Sequence, residues 1–354
     1  MLHVGTVQEG KALRRNLEDL LLFIAKRLAI MVLLVVGVTF ITFLFSHVMV
    51  SDPARLWAGR RASAARVAEI ISLYHLNQPV YVQYYYYIAG IFTGNLGYNP
   101  TTGAPILPQI LHYFPATLEL VLAALVIMIF VGIPLGALAA SRNGKATDHA
   151  IRAFYLSGWA TPSFLGALVL SLIFTAYIHV LPTQGMINPQ LTPPRPITGM
   201  YVLDSLLEGN LPDFVSSLRH LILPAVTLAF LNFGVATRMT RASMLEVIPL
   251  DYIKSARSKG LKEWVVIYRH ALRNALTSTV TVLALLTGSL LSGTVVVEDI
   301  FGWPGIGEYA YQAVTSYNFP VIIAVTVVFS VGVIISNLIA DVLYAVLDPR
   351  VEWG

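Results

Sequence analysis

Residues 251–276 read DYIKSARSKGLKEWVVIYRHALRNAL and concentrate charge in a chain that is otherwise strongly hydrophobic. The stretch holds six Lys or Arg residues against two acidic residues, whereas charged residues make up 12% of the whole sequence. Apolar residues recur in it at helical spacing. The pattern therefore predicts two amphipathic helices joined at Gly260, lying on a membrane surface or against a partner protein.

The details of this segment favour a protein partner. Asp251 is predicted to cap the first helix, and Gly260 to close it in the left-handed conformation. The small residues Ser255, Ala256 and Gly260 are expected to allow a partner to approach closely, which binding to anionic lipid does not require. The second helix is predicted to begin at Lys262 and to lead into a membrane span. Its inward face is expected to consist of Trp264, Tyr268 and Leu272.

Composition places the chain in a lipid bilayer. The sequence has 354 residues, 56% of them hydrophobic, and its mean hydropathy of +0.71 is far above that of a soluble domain. A membrane-spanning helix needs about 20 mostly apolar residues. We therefore predict an all-α integral membrane protein of the cell membrane with six transmembrane helices. The six apolar stretches are 28–50, 114–140, 153–181, 220–239, 276–297 and 320–346.

The distribution of basic residues predicts the orientation of these helices. With the N-terminus inside, 17 of the 23 Lys and Arg residues fall in cytoplasmic segments. Basic residues are enriched in the cytoplasmic loops of membrane proteins. Both termini are therefore predicted to be cytoplasmic, as is the basic stretch at 251–276.

The predicted organisation has four parts. Residues 1–27 form a cytoplasmic lead, 28–50 the first transmembrane helix, and 51–113 an extracytoplasmic segment. Residues 114–350 form the core, with five transmembrane helices. A cytoplasmic loop is expected at 240–275 within that core.

Several classes of chemistry are missing from the sequence. RNGKAT at 142–147 has the wrong spacing for a phosphate-binding loop, so the chain is not expected to bind ATP. There is no HExxH motif, no histidine pair at metal spacing and no cysteine. We therefore predict no catalytic residue, no metal site and no cofactor in this chain. Its basic residues follow a membrane topology, so no nucleic-acid partner is expected.

Ionisable and polar residues inside the spans are the candidates for a solute or ion pathway. Glu119 lies near the outer end of the second span and Asp341 near the inner end of the sixth, so neither is central. The sequence thus lacks the midplane carboxylate expected of a proton-coupled carrier. Weak candidates for a polar path are Asn232, Thr287 and Ser292. Polar contacts between packed helices are the alternative explanation for these three.

The basic stretch resembles the "EAA" loop of ABC-importer permeases, in the form found in the dipeptide and oligopeptide branch. That form reads like DYxxxARxKGL followed by HALRNAL, and this chain has both parts. Further segments match the same branch in the same order along the chain. They are SDPARL (51–56), LNQPVYVQYYYYIAGIFTGNLG (76–97), FPATLEL (114–120), LRHLILPAVTLA (218–229), VVEDIFGWPGIGEY (296–309) and DVLYAVLDPR (341–350).

The resemblance implies a type I ABC-importer permease that is not itself an enzyme. It implies four kinds of partner: a second permease subunit, two ABC ATPase subunits that bind ATP and Mg²⁺, an extracytoplasmic binding protein, and membrane lipid. An outer turn that helps to gate the path is implied at Trp303, Pro304 and Gly305. The residues implied to couple to the ATPase are Asp251, Tyr252, Ala256, Arg257, Lys259, Gly260 and Leu261.

The resemblance also implies that the solute is a peptide, delivered by the binding protein. Two alternatives remain open at this point. The same machine could import oligosaccharides, since relatives of this branch carry sugars. An ATPase-independent secondary carrier is the other alternative, although it predicts a central charge that the sequence lacks.

Overall fold

A computed structural model describes residues 29–30, 32–45, 52–59 and 62–347, and these residues are largely α-helical. The predicted cytoplasmic lead at 1–27 lies outside the described residues. The N-terminal part contains the apolar helix α1 (Val32–Phe45) and three further helices. These are α2 (Pro53–Ala58), α3 (Ala64–Leu73) and α4 (Val80–Phe92), in the segment predicted to be extracytoplasmic.

The core begins at Ile106, eight residues before the predicted start of the second span. α5 (Ile106–Ile127) continues through a π-helical turn, Met128–Gly132, into α6 (Ile133–Ser141). The next helices are α7 (Ala146–Ala160), α8 (Ser163–Leu172) with a π-helical end at Ile173–Ile178, α9 (Tyr201–Leu207) and α10 (Leu211–Val247).

The C-terminal half carries the basic segment and the last two long helices. α11 (Asp251–Ser258) and the short α12 (Glu263–Val265) make up the basic segment. A π-helical turn, Val266–Ala271, joins α12 to α13 (Leu272–Gly293). The remaining helices are α14 (Val295–Phe301), α15 (Ile306–Thr315) and α16 (Phe319–Leu347).

Four helical segments are long and apolar enough to cross a membrane, and they coincide with four predicted spans. They are Ile106–Ser141, Leu211–Val247, Glu263–Gly293 and Phe319–Tyr344. α1 is apolar but shorter within the described residues. The six-span count and the cytoplasmic position of both termini stay predictions.

The predicted span at 153–181 is not one straight helix. α7 and α8 meet at an angle of 107° around Thr161 and Pro162. A proline disfavours the helical conformation of the residue before it, and Thr161 is extended, with φ −82° and ψ 123°. The pair therefore forms a broken span or a re-entrant segment.

α10 is the central helix of the core and packs against α5, α6, α7 and α13. Glycines on its neighbours make this packing possible, because a Cβ at Gly158 would overlap the Phe230 carbonyl oxygen. A Cβ at Gly136 would lie 2.6 Å from the Thr237 carbonyl oxygen. Small residues let helix backbones approach closely inside membranes, where dispersion contacts drive association. The centre of the core therefore depends on backbone-to-backbone packing around α10.

Replacing Gly158 by leucine is expected to separate α7 from α10 and to destabilise the fold by about 1–3 kcal/mol, the usual cost of overpacking. Thermal unfolding of the purified protein in detergent measures the effect. Gly37→Leu is the matched control, since a Cβ at Gly37 meets nothing within 4 Å. Equal melting temperatures for the two variants would contradict this account of the core.

Candidate functional site

One turn of α5 holds two separate outer segments of the chain. We call this arrangement the outer clamp and define it as Ala116, Thr117 and Glu119 of α5 together with Glu298 and Trp303. All five residues are buried. The clamp brings together the FPATLEL and VVEDIFGWPGIGEY motifs, which the sequence separates by almost two hundred residues.

The first half of the clamp is centred on the Glu298 carboxylate. The Thr117 hydroxyl donates to Glu298 Oε1 at 2.7 Å and accepts from the Ile306 N–H at 2.8 Å. The Glu308 N–H donates to Glu298 Oε2 at 3.0 Å. Burial raises the pKa of Glu298, while the hydrogen bond from Thr117 acts to lower it. This buried acid therefore fixes the start of α15 to α5.

Trp303 and Gly305 complete this half of the clamp. The Trp303 indole N–H donates to the Ala116 carbonyl oxygen at 2.8 Å, and its ring is wholly buried. A Cβ at Gly305 would overlap the oxygens of Glu298 and Thr117, so the turn needs glycine there. A gating role for Trp303, Pro304 and Gly305 stays a prediction.

The second half of the clamp is Glu119. Its carboxylate accepts from the backbone N–H groups of Tyr201 at 3.1 Å and Val202 at 2.8 Å. N–H groups in the first turn of a helix have no acceptor within that helix. The Glu119 carboxylate on α5 supplies the acceptor for these two in α9, and its charge also favours the N-terminal end of that helix. Sequence reasoning treated Glu119 only as a possible membrane charge. Glu119 anchors the 182–210 segment through a contact with a residue 82 positions further along the chain. No local sequence pattern indicates such a contact.

On the opposite side of the core, α11 is docked by its buried face. Ile253 and Ala256 pack in an apolar cluster with Ala140 of α6, Met244 of α10 and Val266. Ala256 is only 7% exposed within this chain, and its role in letting a partner approach closely stays a prediction. The apolar spacing in this short helix buries Ala256 against the permease itself. α11 is thus attached to both α6 and α10.

The ends of α11 agree in part with those predicted from the sequence. Gly260 has φ +74°, which confirms the left-handed closure. Asp251 is the first helical residue rather than the cap, which is Leu250, and its carboxylate pairs with Lys254 at 2.9 Å. An acid at this position still interacts favourably with the helix dipole.

The predicted inward face of the second helix was correct for Leu272, which packs against the core, and wrong for Trp264 and Tyr268. Trp264 and Tyr268 are 64% and 41% exposed, whereas Val266, Ile267 and Ala271 are buried. The π-helical turn inserts an extra residue per turn at 266–271 and rotates the helix face. Simple 3.6-residue periodicity cannot anticipate that shift.

The exposed face of α11 and the residues after it form a surface of mixed chemistry. Tyr252 accepts a hydrogen bond from the Asn274 side chain at 2.7 Å. Arg257 binds both oxygens of Glu263, at 2.8 and 3.2 Å. Lys259, Gly260 and Leu261 are exposed, and a Cβ at Gly260 meets nothing within 4 Å. We call this face, residues 251–261 without the buried Ile253 and Ala256, the coupling surface.

A buried ion pair next to the coupling surface was missed by sequence reasoning. Arg241 of α10 binds both oxygens of Asp148, at 2.7 and 2.8 Å, and also donates to the Asn143 side chain at 2.9 Å. The Gly144 N–H donates to Asp148 as well. Arginine is well suited to such a bidentate pair. The interaction ties the loop between α6 and α7 to the end of α10.

The three weak pathway candidates do not form a site by hydrogen bonding to one another. Asn232, Thr287 and Ser292 each donate to a carbonyl of their own helix, at Leu228, Leu283 and Ser289 respectively. Such local bonds satisfy polar side chains inside a helix. A role in the solute path stays a prediction for all three.

The outer clamp generates a stability prediction. Thr117→Val keeps the side-chain shape but leaves Glu298 Oε1 without its donor and the Ile306 N–H without its acceptor. Unpaired buried groups cost about 1–3 kcal/mol each, so a clear fall in melting temperature is expected. The control is Thr227→Val, because the buried Thr227 hydroxyl donates within its own helix, to the Leu223 carbonyl oxygen. If Thr117→Val melts no lower than the control, the clamp does not stabilise the outer segments.

The comparisons with known proteins agree over almost the whole chain. Residues 132–353 match the model of the binding-protein-dependent transport system inner membrane component, and residues 20–121 match its N-terminal companion. The probable D,D-dipeptide transport system permease protein DdpB of Escherichia coli K12 is 43% identical, over 92% of this chain and 95% of its own. The dipeptide transport system permease protein DppB of the same strain is 36% identical, over 94% and 99%.

A solved structure of the MetNI methionine ABC transporter, in an inward-facing conformation, is similar over 66% of this chain and 93% of its own. The TM-score is 0.49 and the identity is 17%. The family match and the relatives cover far more than half of the sequence. The chain therefore belongs to the family of binding-protein-dependent transport system inner membrane components, the membrane permeases of ABC importers.

Proposed function

We propose that this chain forms half of the translocation path of an ATP-driven peptide importer. In this proposal it pairs with a second permease subunit and with two ATPase subunits that bind ATP and Mg²⁺. An extracytoplasmic binding protein delivers the solute. The observation that carries the proposal is the coupling surface, which is exposed on a helix anchored to α6 and α10.

The anchoring of α11 explains how force would pass through the chain. Its buried residues Ile253 and Ala256 pack against helices on two sides, so a push on the exposed face moves the ends of α6 and α10 together. The pair between Arg241 and Asp148 joins the α6–α7 loop to the same body. Closure of the ATPase subunits would then shift several spans at once.

The charges of α11 favour a protein partner over a lipid surface. Lys254 is paired with Asp251 and Arg257 with Glu263, so two of the basic side chains are offset within the segment itself. Attraction to anionic lipid grows with each free basic residue near the membrane. The pairing lowers that attraction and leaves a surface with both donors and acceptors.

The peptide class of the solute is supported by the two relatives, whose names are those of a dipeptide and a D,D-dipeptide transport system. An oligosaccharide importer would use the same machine. Measuring whether the purified transporter takes up peptides or oligosaccharides separates the two solute classes. An ATPase-independent carrier would transport its solute without ATP.

Reconstitution of the assembled transporter with its binding protein tests the proposal. Gly260→Trp places a bulky residue on the coupling surface. Because residue 260 has a positive φ, a side chain there also costs roughly 1 kcal/mol of backbone strain. We expect ATP-driven peptide uptake in the parent protein, and loss of both uptake and ATPase co-purification in Gly260→Trp. Insertion into the membrane should be unchanged, because no span is altered.

Gly209→Trp is the matched control for this test. Gly209 also has a positive φ, of +69°, and open space around it, but it lies at the opposite end of α10 from the coupling surface. This variant should keep its ATPase subunits. Full uptake and full co-purification in Gly260→Trp, with loss on charge reversal at Lys259 and Lys262, would identify the segment as a lipid-bound helix instead.

A further inference from the structure

A cavity of about 400 Å³ lies between α5, α15 and the start of α16. The loop at 99–102 forms its fourth wall. The volume falls within the range of about 300–1,000 Å³ that is typical of small-molecule sites. The outer clamp holds two of its walls together, since it fixes the start of α15 to α5 through Thr117 and Ile306.

The lining of this cavity is polar but uncharged. Four carboxamide side chains reach it, and hydroxyl groups from threonine, serine and tyrosine supply most of the rest. None of the residues that line it is Lys, Arg, His, Asp or Glu. The four carboxamides belong to Asn99, Gln109, Gln312 and Asn318.

The polar lining is an ordered network. The Asn318 side-chain NH₂ donates to Asn99 Oδ1 at 2.7 Å, and both residues are 6% exposed. The Tyr309 hydroxyl donates to Gln109 Oε1 at 2.5 Å, and its ring stacks on Tyr113 with 5.0 Å between centroids. These contacts hold the amides in defined orientations before any ligand arrives.

One buried acceptor in the network has no partner. Asn318 Oδ1 receives no hydrogen bond from any part of the chain that the structure describes. A buried acceptor left without a donor typically costs about 1–3 kcal/mol.

We propose that this cavity binds the uncharged, hydrogen-bonding main chain of the solute on the outer face, a proposal that rests on the peptide importer proposed above. A carboxamide carries one acceptor and two donors in a plane and so complements a peptide group, whatever its side chains are. Sugar hydroxyls share this chemistry, and the peptide is the source to which the proposal commits. Charged termini gain no ion pair from the lining, so blocking them costs no binding.

Binding of two neutral probes to the assembled transporter, without nucleotide or binding protein, tests this assignment. The probes are the blocked dipeptide N-acetyl-glycyl-glycinamide and the sugar maltose. Saturation-transfer NMR measures the binding of each probe. Ser316→Trp fills the cavity from an exposed position at the end of α15. It should weaken binding of the dipeptide about 10-fold or more, which corresponds to one or two lost hydrogen bonds.

Two controls isolate the cavity. Thr315→Trp adds the same bulk at the neighbouring exposed residue, which does not line the cavity, and should leave binding unchanged. Gln312→Leu removes one lining amide and should weaken binding, whereas Gln190→Leu removes an exposed amide elsewhere and should not.

Three results would overturn the proposal: no saturation transfer to the dipeptide, equal transfer in Ser316→Trp and Thr315→Trp, or binding of maltose alone. The readout needs no ATP hydrolysis and no uptake. Its failure is therefore distinct from failure of the importer itself, which would appear as absent ATP-driven uptake in the reconstituted parent protein.

Discussion

The hydrogen bond between Thr117 and Glu298 is the constraint on which the outer half of the protein depends. It joins residues 181 positions apart in a fully buried setting, where an unpaired carboxyl group would be costly. The partners that satisfy Glu298 also fix the Ile306 and Glu308 N–H groups, and so the start of α15. Because Glu119 anchors the first turn of α9 to the same region of α5, the outer segments form one body with that helix.

The inner half is organised by a different contact. α11 is held through Ile253 and Ala256 against α6 and α10, and the Asp148–Arg241 pair joins the first turn of α7 to α10. Between the two ends, α10 packs on its neighbours at glycines, which leaves little room for sliding. In the proposed importer, a subunit built in this way would transmit motion as a stiff element. The surfaces that rearrange during transport would then be those between this chain and its partners.

Part of the fold could be predicted from the sequence, because apolar length and a glycine at a helix end are properties of short segments. Four long spans and the left-handed Gly260 were predicted in this way. The orientation inferred from the basic residues stays a prediction. The failures share a physical cause, which is that local periodicity carries no information about tertiary contacts. The π-helical turn at 266–271 rotated part of the predicted face. The break in the span at Thr161 and Pro162 is different, because it has a local cause in the proline itself. The partners of Glu119 and Glu298 lie far along the chain, so only the structure could reveal the clamp.

The central claim is that α11 moves as part of the permease body when the ATPase subunits close. The chain has no cysteine, so Ser141→Cys and Leu250→Cys place spin labels at two chosen points, the end of α6 and the start of α11, outside the coupling surface. The distance between the labels is measured by pulsed electron paramagnetic resonance in the assembled transporter, with and without ATP. The account predicts the same distance distribution in both states. A distribution that shifts on ATP binding would show that α11 moves independently of α6 and would contradict it.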